Sequence, residues 1–331
     1  MNIRIRTEHA GEIKLSPVLP AALKQLQIPE SICYSASGSF GHILLQQLEG
    51  ESISVLYHTF YFTNDDQLTY SSHESSIRLQ IILRNSYFYK SKPLGAGALH
   101  ERGINLNYVP SIHTVFGLRK QETYSHVAIY YTKEHLLSLS TSFPSLKAFL
   151  EQVDADKAMQ FNERYSIADA PILSLIDSML DCNYKGPLRK VVLESLAVEI
   201  LLMSLLKITQ ATSRAVIPVG EAESVHIYQA KELILQDMGK SFSMPALAKQ
   251  TGLSIYKLNN GFKGIYGMGV TEFLLEARMA KAHQVLMETD TPVSVVAENS
   301  GYSHHHAFEH AFKKYFGYTP AFVQRSGKKS S

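Results

Sequence analysis

The chain has 331 residues, 45% hydrophobic and 19% charged. That balance excludes a disordered polymer, a collagen-like fibre and a disulfide-stapled miniprotein, and the length suits two domains. The net charge of +2 assigns no partner: residues 1–220 hold 20 Lys/Arg against 20 Asp/Glu, and residues 221–331 hold 12 against 10, with six of the 14 histidines. Two cysteines, Cys33 and Cys182, are too few for a disulfide framework or a four-cysteine zinc site. The first six residues carry charge with no apolar run behind them, so no secretory leader is expected. The most apolar stretch, 191–206, contains Glu194 and Glu199 and is short of a membrane span. A cytoplasmic chain with no membrane partner is expected.

The first half reads as β. Segments 53–62, 79–89, 106–116 and 124–131 are rich in β-branched and aromatic residues, with breakers between them at Asn64-Asp65-Asp66, Lys92-Pro93-Leu94-Gly95 and 117–122. They predict an antiparallel barrel or sandwich over about residues 30–132. The period then changes. Residues 133–139 and 144–153 predict short helices, and Ala170-Pro171 opens a helix carrying Ile172, Leu175, Ile176, Met179 and Leu180. Gly186-Pro187 breaks it, and a longer helix spans about 188–208 with Val191, Val192, Leu196, Ile200 and Leu205 apolar. Leu201, Leu202 and Met203 widen that face; burial against both the strands and a second copy fits it, as does packing within one domain. Residues 209–223 have no period, contain Pro218 and Gly220, and form the expected linker between a front domain (1–208) and a tail (224–327).

The tail is helical with sharp punctuation. Ile227, Ala230, Leu233 and Ile234 line a first helix that Gly239 ends. Ser243 caps a short helix with Leu247 and Ala248 inward; Gly252 makes a turn, and Ser254 caps a helix that buries Leu258 and Phe262. The same unit recurs: Val293, Val295, Val296 and Ala297, a turn at Gly301, then a helix capped by Ser303 with Phe308 and Phe312 inward. Between the units Phe273, Leu274, Ala277, Ala280, Ala282, Val285 and Leu286 sit at helical spacing. A connector of about 15–18 residues spans ~25 Å, near the ~34 Å that separates successive major grooves on one face of a duplex.

The tail resembles the double helix-turn-helix domain of AraC/XylS-type transcription regulators. The matching residues are Leu247-Ala248-Lys249-Gln250-Thr251-Gly252-Leu253-Ser254, Leu258, Phe262-Lys263, Gly267, Phe273, Arg278, Ala282, Leu286, Val296-Ala297, Gly301-Tyr302-Ser303, Phe308, Phe312-Lys313-Lys314, Phe316-Gly317 and Thr319-Pro320, within about residues 225–325. The chain departs from that pattern at Asn260, where the family usually has Arg, and at Val323-Gln324, where it has an aromatic then Arg. The resemblance implies a two-domain α+β protein. Its front domain would be an antiparallel, cupin-like β-barrel with helices, binding an effector or mediating dimerisation, and its tail an all-α reader of double-stranded DNA that recruits RNA polymerase. An activator responding to a small molecule, with a possible homodimer, is the expected function. Two alternatives are a constitutive regulator whose front domain only dimerises and a barrel enzyme tethered to a DNA-binding tail.

With Leu258 and Phe262 buried, Tyr256, Lys257, Asn259 and Asn260 project from the first recognition helix, and Lys263 joins them. Asn suits the adenine edge in the major groove, Tyr a thymine methyl or a phosphate, and lysine a phosphate. On the second helix His304, His305, His306, His310 and Lys313 project. Imidazoles there can bond guanine or phosphate, which would make binding pH-dependent near pH 6–7. Consecutive helical residues point about 100° apart, so three adjacent histidines cannot all chelate one ion, although His306 and His310 could share one. DNA-facing histidines are the expectation, with no metal and no cofactor.

In the front domain His58, His73, His100, His113 and His126 are scattered and include no His-x-His pair, which argues against a metal-bearing barrel. Tyr57, Tyr61, Tyr87, Tyr89, Tyr108, Phe116, Tyr130 and Tyr131 would suit an aromatic pocket or simply the core. Arg78 and Arg84 flank an apolar strand and could pair an acidic ligand, so Tyr57, Arg78, Arg84 and Tyr89 are the candidate effector residues. Gly95-Ala96-Gly97-Ala98-Leu99-His100 lacks the third glycine of a dinucleotide fingerprint, and neither a phosphate loop nor a nucleophile elbow occurs.

Overall fold

Strand-forming residues crowd the front of the chain, and all of them pair antiparallel. A computed structural model describes residues 3–162, 165–211, 221–239, 242–266, 268–316 and 318–327. In chain order the strands are β1 (Arg4–Thr7), β2 (Gly11–Ile13), β3 (Ile32–Gly38), β4 (Gly41–Glu49), β5 (Ser54–Phe62), β6 (Asp66–Ser72), β7 (Ser76–Arg84), β8 (Tyr87–Ser91), β9 (Gly95–Leu99), β10 (Gly103–Val109), β11 (Ile112–Leu118), β12 (Thr123–Tyr131), β13 (Met159–Gln160) and β14 (Ser166–Ile167). One sheet runs β2-β1-β6-β11-β8-β9; the other runs β13-β10-β7-β12-β5-β4-β3, with β14 also on β10. The expected antiparallel front is present, but its strands are shared between two open sheets rather than closed into one ring.

Two segments that read as single strands are each divided between the sheets. In 79–89, β7 ends at Arg84 and Asn85 takes a left-handed backbone, φ +59°. Its side-chain nitrogen donates to the Thr123 carbonyl at 2.9 Å, which fixes the corner before β8 joins the other sheet. In 106–116 the break is Pro110-Ser111, between β10 and β11; proline has no N–H to give a ladder.

Helices α1 (Lys133–Leu139), α2 (Ser145–Asp154), α3 (Ala170–Leu180) and α4 (Gly186–Ala211) share one apolar cluster with the larger sheet. That sheet is therefore buried on both faces. Along β7, Ile77, Leu79 and Ile81 join the helices, while Arg78 and Gln80 face the smaller sheet. Along β12, Val127, Ile129 and Tyr131 join the helices and Tyr124 the opposite cluster. Each large apolar side chain so enclosed contributes about 1.5–3 kcal/mol. The Tyr131 hydroxyl donates to the Ala197 carbonyl at 2.8 Å and fastens α4 to the sheet. Gly186 and Pro187 open α4 instead of merely ending α3, in keeping with proline's fit to a first helical turn.

The chain divides into two compact units, Met1–Ala215 and Val216–Ser331. The expected linker is helical at both ends, because α4 reaches Ala211 and α5 (Glu221–Gln236) begins at Glu221; its middle, 212–220, lies outside the described residues. The second unit continues with α6 (Met244–Thr251), α7 (Ile255–Tyr266), α8 (Val270–Glu288), α9 (Val293–Asn299), α10 (His305–Phe316) and α11 (Pro320–Gly327). Gly267 and Gly317, quoted for the resemblance, also lie outside the described residues. Helix α11 was not expected from periodicity; it buries Val323 in the last core.

Two small cores flank α8. Val270, Phe273 and Leu274 belong to the first, with α5, α6 and α7; Met279, Ala282 and Leu286 belong to the second, with α9, α10 and α11. At about 100° per residue these triplets point to roughly opposite sides of the helix. Ala280, counted with the apolar face from sequence, is exposed, and Met279 takes the core position.

Candidate nucleic-acid interface

The first helix-turn-helix follows from its caps. Ser243 Oγ accepts from the Ala246 amide at 3.4 Å, and Gly252 turns the chain with φ +68°, a backbone that favours glycine. Ser254 Oγ then accepts from the Lys257 amide at 3.2 Å and starts α7. Helix α7 buries Leu258, Phe262, Ile265 and Tyr266. Gly261 lets α5 lie against it, since a Cβ there would sit 2.3 Å from Ile227 Cδ1. The outward face carries Tyr256, 75% exposed, with Lys257 and Lys263. Lys257 Nζ is 4.0 Å from Glu223 Oε1. Asn259 and Asn260 are half-buried. Asn259 Oδ1 accepts from the Val270 amide at 3.2 Å and so caps α8, which commits one lone pair of that oxygen within the protein.

The second unit repeats the plan with one shift. Gly301 makes the turn at φ +80°, but α10 starts at His305, and the His304 carbonyl accepts from the Ala307 and Phe308 amides at 3.1 and 3.3 Å. His304 thus occupies the entry position expected for Ser303. Phe308 and Phe312 are buried, and His304, His305, His306, His310 and Lys313 are all exposed. The His305 and His306 rings lie 3.9 Å apart, and both lean toward Glu309 Oε2, from His305 Nε2 at 3.8 Å and His306 Nδ1 at 3.5 Å. Among the described residues, this trio is the one group whose ligand atoms cluster closely enough for a metal ion, within 4.8 Å of one another. Neighbouring histidines therefore converge through Glu309, and His310 is not a member of that group.

The spacing of the two recognition helices is braced as well as bridged. Arg278, midway along α8, donates from Nε to the Met238 carbonyl at 2.7 Å, beyond the end of α5. A Cβ on Gly301 would meet the same guanidinium at 2.6 Å, and one on Gly239 would meet the Asn299 carbonyl at 2.9 Å. These close approaches tie the first half to the turn of the second. Only glycine leaves room for them.

The front unit holds a cavity of about 540 Å³, mouth included, between its sheets. Arg78 and Tyr89 line it. Tyr57 and Arg84 do not join them: Tyr57 packs on the helical side of β5, and Arg84 is exposed at the end of β7. Sequence reasoning missed His58, Tyr70, Gln80, His126 and Tyr165 as lining residues; Phe116 and Tyr130, read as pocket or core aromatics, line it too. The histidines that look scattered in sequence include a register pair, His58 opposite His126 on β5 and β12, with rings stacked 4.2 Å apart. Tyr87 Oη lies 2.9 Å from His126 Nδ1, and Tyr70 Oη 3.3 Å from His58 Nε2. Burial, aided by the charge of Arg78, pulls the His126 imidazole down to about 3. Burial, then the neighbouring His126 and Arg78, holds His58 well below its usual 6.5. Both rings are neutral at neutral pH.

A family model described as the N-terminal domain of the regulatory protein PchR matches residues 40–219, and one described as a helix-turn-helix domain matches residues 247–326. The first match alone spans more than half of the chain. The chain belongs to the AraC-type regulators with a PchR-type N-terminal domain. This regulator is 30% identical over 125 residues to the regulatory protein PchR of Pseudomonas aeruginosa, covering 36% of this chain and 41% of that protein. It is 28% identical over 102 residues to the Msm operon regulatory protein of Streptococcus mutans, covering 31% and 37%. The chain thus spans about two-fifths of the length of these curated relatives. Among solved structures, the C-terminal domain of AraT, a response regulator from Geobacillus stearothermophilus, is 27% identical with a TM-score of 0.30, covering 30% of this chain and 84% of that one. No helix among the regulator's described residues is long and apolar enough to cross a membrane.

Proposed function

We propose that this regulator is an effector-responsive activator. The exposed faces of α7 and α10 enter successive major grooves of promoter DNA, and the bound tail recruits RNA polymerase. The observation that carries the proposal is the pair of outward polar faces, Tyr256, Lys257 and Lys263 on α7 and His305, His306, His310 and Lys313 on α10, mounted on a single connector, α8. Helices with this placement read base edges from the outward positions and take phosphates at the flanking lysines. The outward residues Leu188, Val191 and Leu206 of α4 remain half exposed, and they are the surface offered to a second copy. Within this scheme the front-unit cavity receives the effector, and its occupancy sets the geometry of the DNA-bound form.

The test is a gel shift of the full chain on fragments of its own promoter region. Tyr256→Ala and His306→Ala are each expected to weaken sequence-selective binding by about 1–3 kcal/mol, about fivefold or more, with unchanged thermal melting. Lys313→Ala is expected to weaken all sequences alike and to reduce the slope of log affinity against log salt by about 0.9. Equal affinity of wild type for promoter and scrambled DNA would refute the proposal. Selective binding that no metabolite changes would instead leave a constitutive regulator with a dimerising front unit.

A further inference from the structure

The cavity of the front unit contains a positive charge that no carboxylate among the described lining residues answers. Arg78 enters it from β7; its Nε is enclosed and makes no hydrogen bond, and among the described residues lining the cavity there is no carboxylate. His58, 3% exposed, also has a buried Nδ1 without a partner. A guanidinium drawn out of water is costly unless an anion meets it, and an unpartnered buried nitrogen adds to the deficit. The remaining walls mix phenols and apolar side chains, Tyr70, Phe116 and Tyr130 among them, with the polar Gln80, Ser91 and Thr114.

We propose that this cavity binds a small organic monocarboxylate, its anionic group paired with Arg78 and its flat or apolar body lying against Tyr70, Phe116 and Tyr130. The proposal rests on the front unit being the effector-binding part and gives that effector a chemical class. One guanidinium presents a planar fork that a carboxylate meets with two parallel hydrogen bonds. A phosphate monoester would bring nearly two negative charges to a cavity lined by a single arginine and no lysine. The stacked imidazoles of His58 and His126 are neutral and add no second cation. They offer a hydrogen-bonding edge beside the ion pair.

Isothermal titration of the full chain near neutral pH with benzoate and hexanoate, each set against its neutral amide, benzamide and hexanamide, tests the class. At least one acid is expected to bind about tenfold or more tightly than its amide, as a charge-assisted pair requires. Arg78→Met is expected to remove that preference and Arg78→Lys to keep part of it, both without changing ligand-free promoter binding. Amides that bind as well as the acids, no acid that binds better than its amide, or an Arg78→Met chain that keeps the preference would each overturn the proposal. Should Arg78→Met fail to fold, the comparison of acid and amide on wild type decides alone. Carboxylate binding that leaves promoter affinity unchanged would refute the effector role in transcription while leaving the site in place.

Discussion

Phe308→Ala is expected to abolish promoter binding by the full chain while leaving the melting of the front unit where it was. Phe308 is fully buried on α10 and packs edge-on to Tyr302 and against Phe312, with both ring centroids 5.5 Å away. Its core is small, and three of its buried residues, Met279, Ala282 and Leu286, come from α8. Truncating a buried phenylalanine costs about 3–5 kcal/mol, a large share of the 5–15 kcal/mol that holds a typical domain together. So few neighbours cannot close over the gap, and α10 loses the support that aims its histidines. Calorimetry should show the tail's transition lowered or absent beside an unshifted front-unit transition. Promoter affinity within a few-fold of wild type would mean that α10 is not required for binding.

The front unit is expected to lose stability as pH falls from about 6.5 toward 5. His126 has its folded value near 3 and His58 lies well below 6.5, whereas both return to about 6.5 when the chain unfolds. Burial also lowers His100, to about 4. Between those limits the unfolded chain binds the extra protons, so stability is complete above about pH 6.5 and declines as pH falls. The decline is about 1.4 kcal/mol per pH unit for each such histidine, or about 2 kcal/mol from His126 alone by pH 5. The groups facing His126 are His58 from β5, Tyr87 from β8 and Arg78 from β7. None is an acid that would hold the protonated ring. Urea midpoints of the front-unit transition at pH 7 and pH 5 measure the effect, and His126→Gln should flatten the slope by one histidine's share. A midpoint independent of pH across this window would contradict a dry, neutral pair at the heart of the sandwich.

The tail was legible because its signals are short-range. Ser243 and Ser254 announce two helix starts, Gly252 and Gly301 mark the turns, and the spacing of Leu258 with Phe262 and of Phe308 with Phe312 gives each recognition helix its inner face. What spacing could not show was Asn259, whose partner is Val270 across a turn, or the way α8 changes its buried side midway. The front unit hid more. Its larger sheet is covered on both faces, so the polar and apolar alternation that would mark strand orientation is suppressed. Two-residue corners at Asn85-Ser86 and Pro110-Ser111 pass unnoticed inside long runs of strand-forming residues. The cavity depends on pairing between β5 and β12, which brings His58 and His126 together from positions far apart in the chain. His58 on β5, His126 on β12, and Arg78 with Gln80 at alternate positions of β7 were the available signal.

Methylation interference on the regulator's own promoter is the most direct measurement of whether α7 and α10 read DNA together. With two recognition helices fixed by α8 and braced through Arg278, premethylated guanines should block binding in two clusters about 10 base pairs apart on one face of the duplex. His306→Ala should erase sensitivity in one cluster and Tyr256→Ala in the other. A single cluster, or two that both answer to the same substitution, would contradict a reader with two heads.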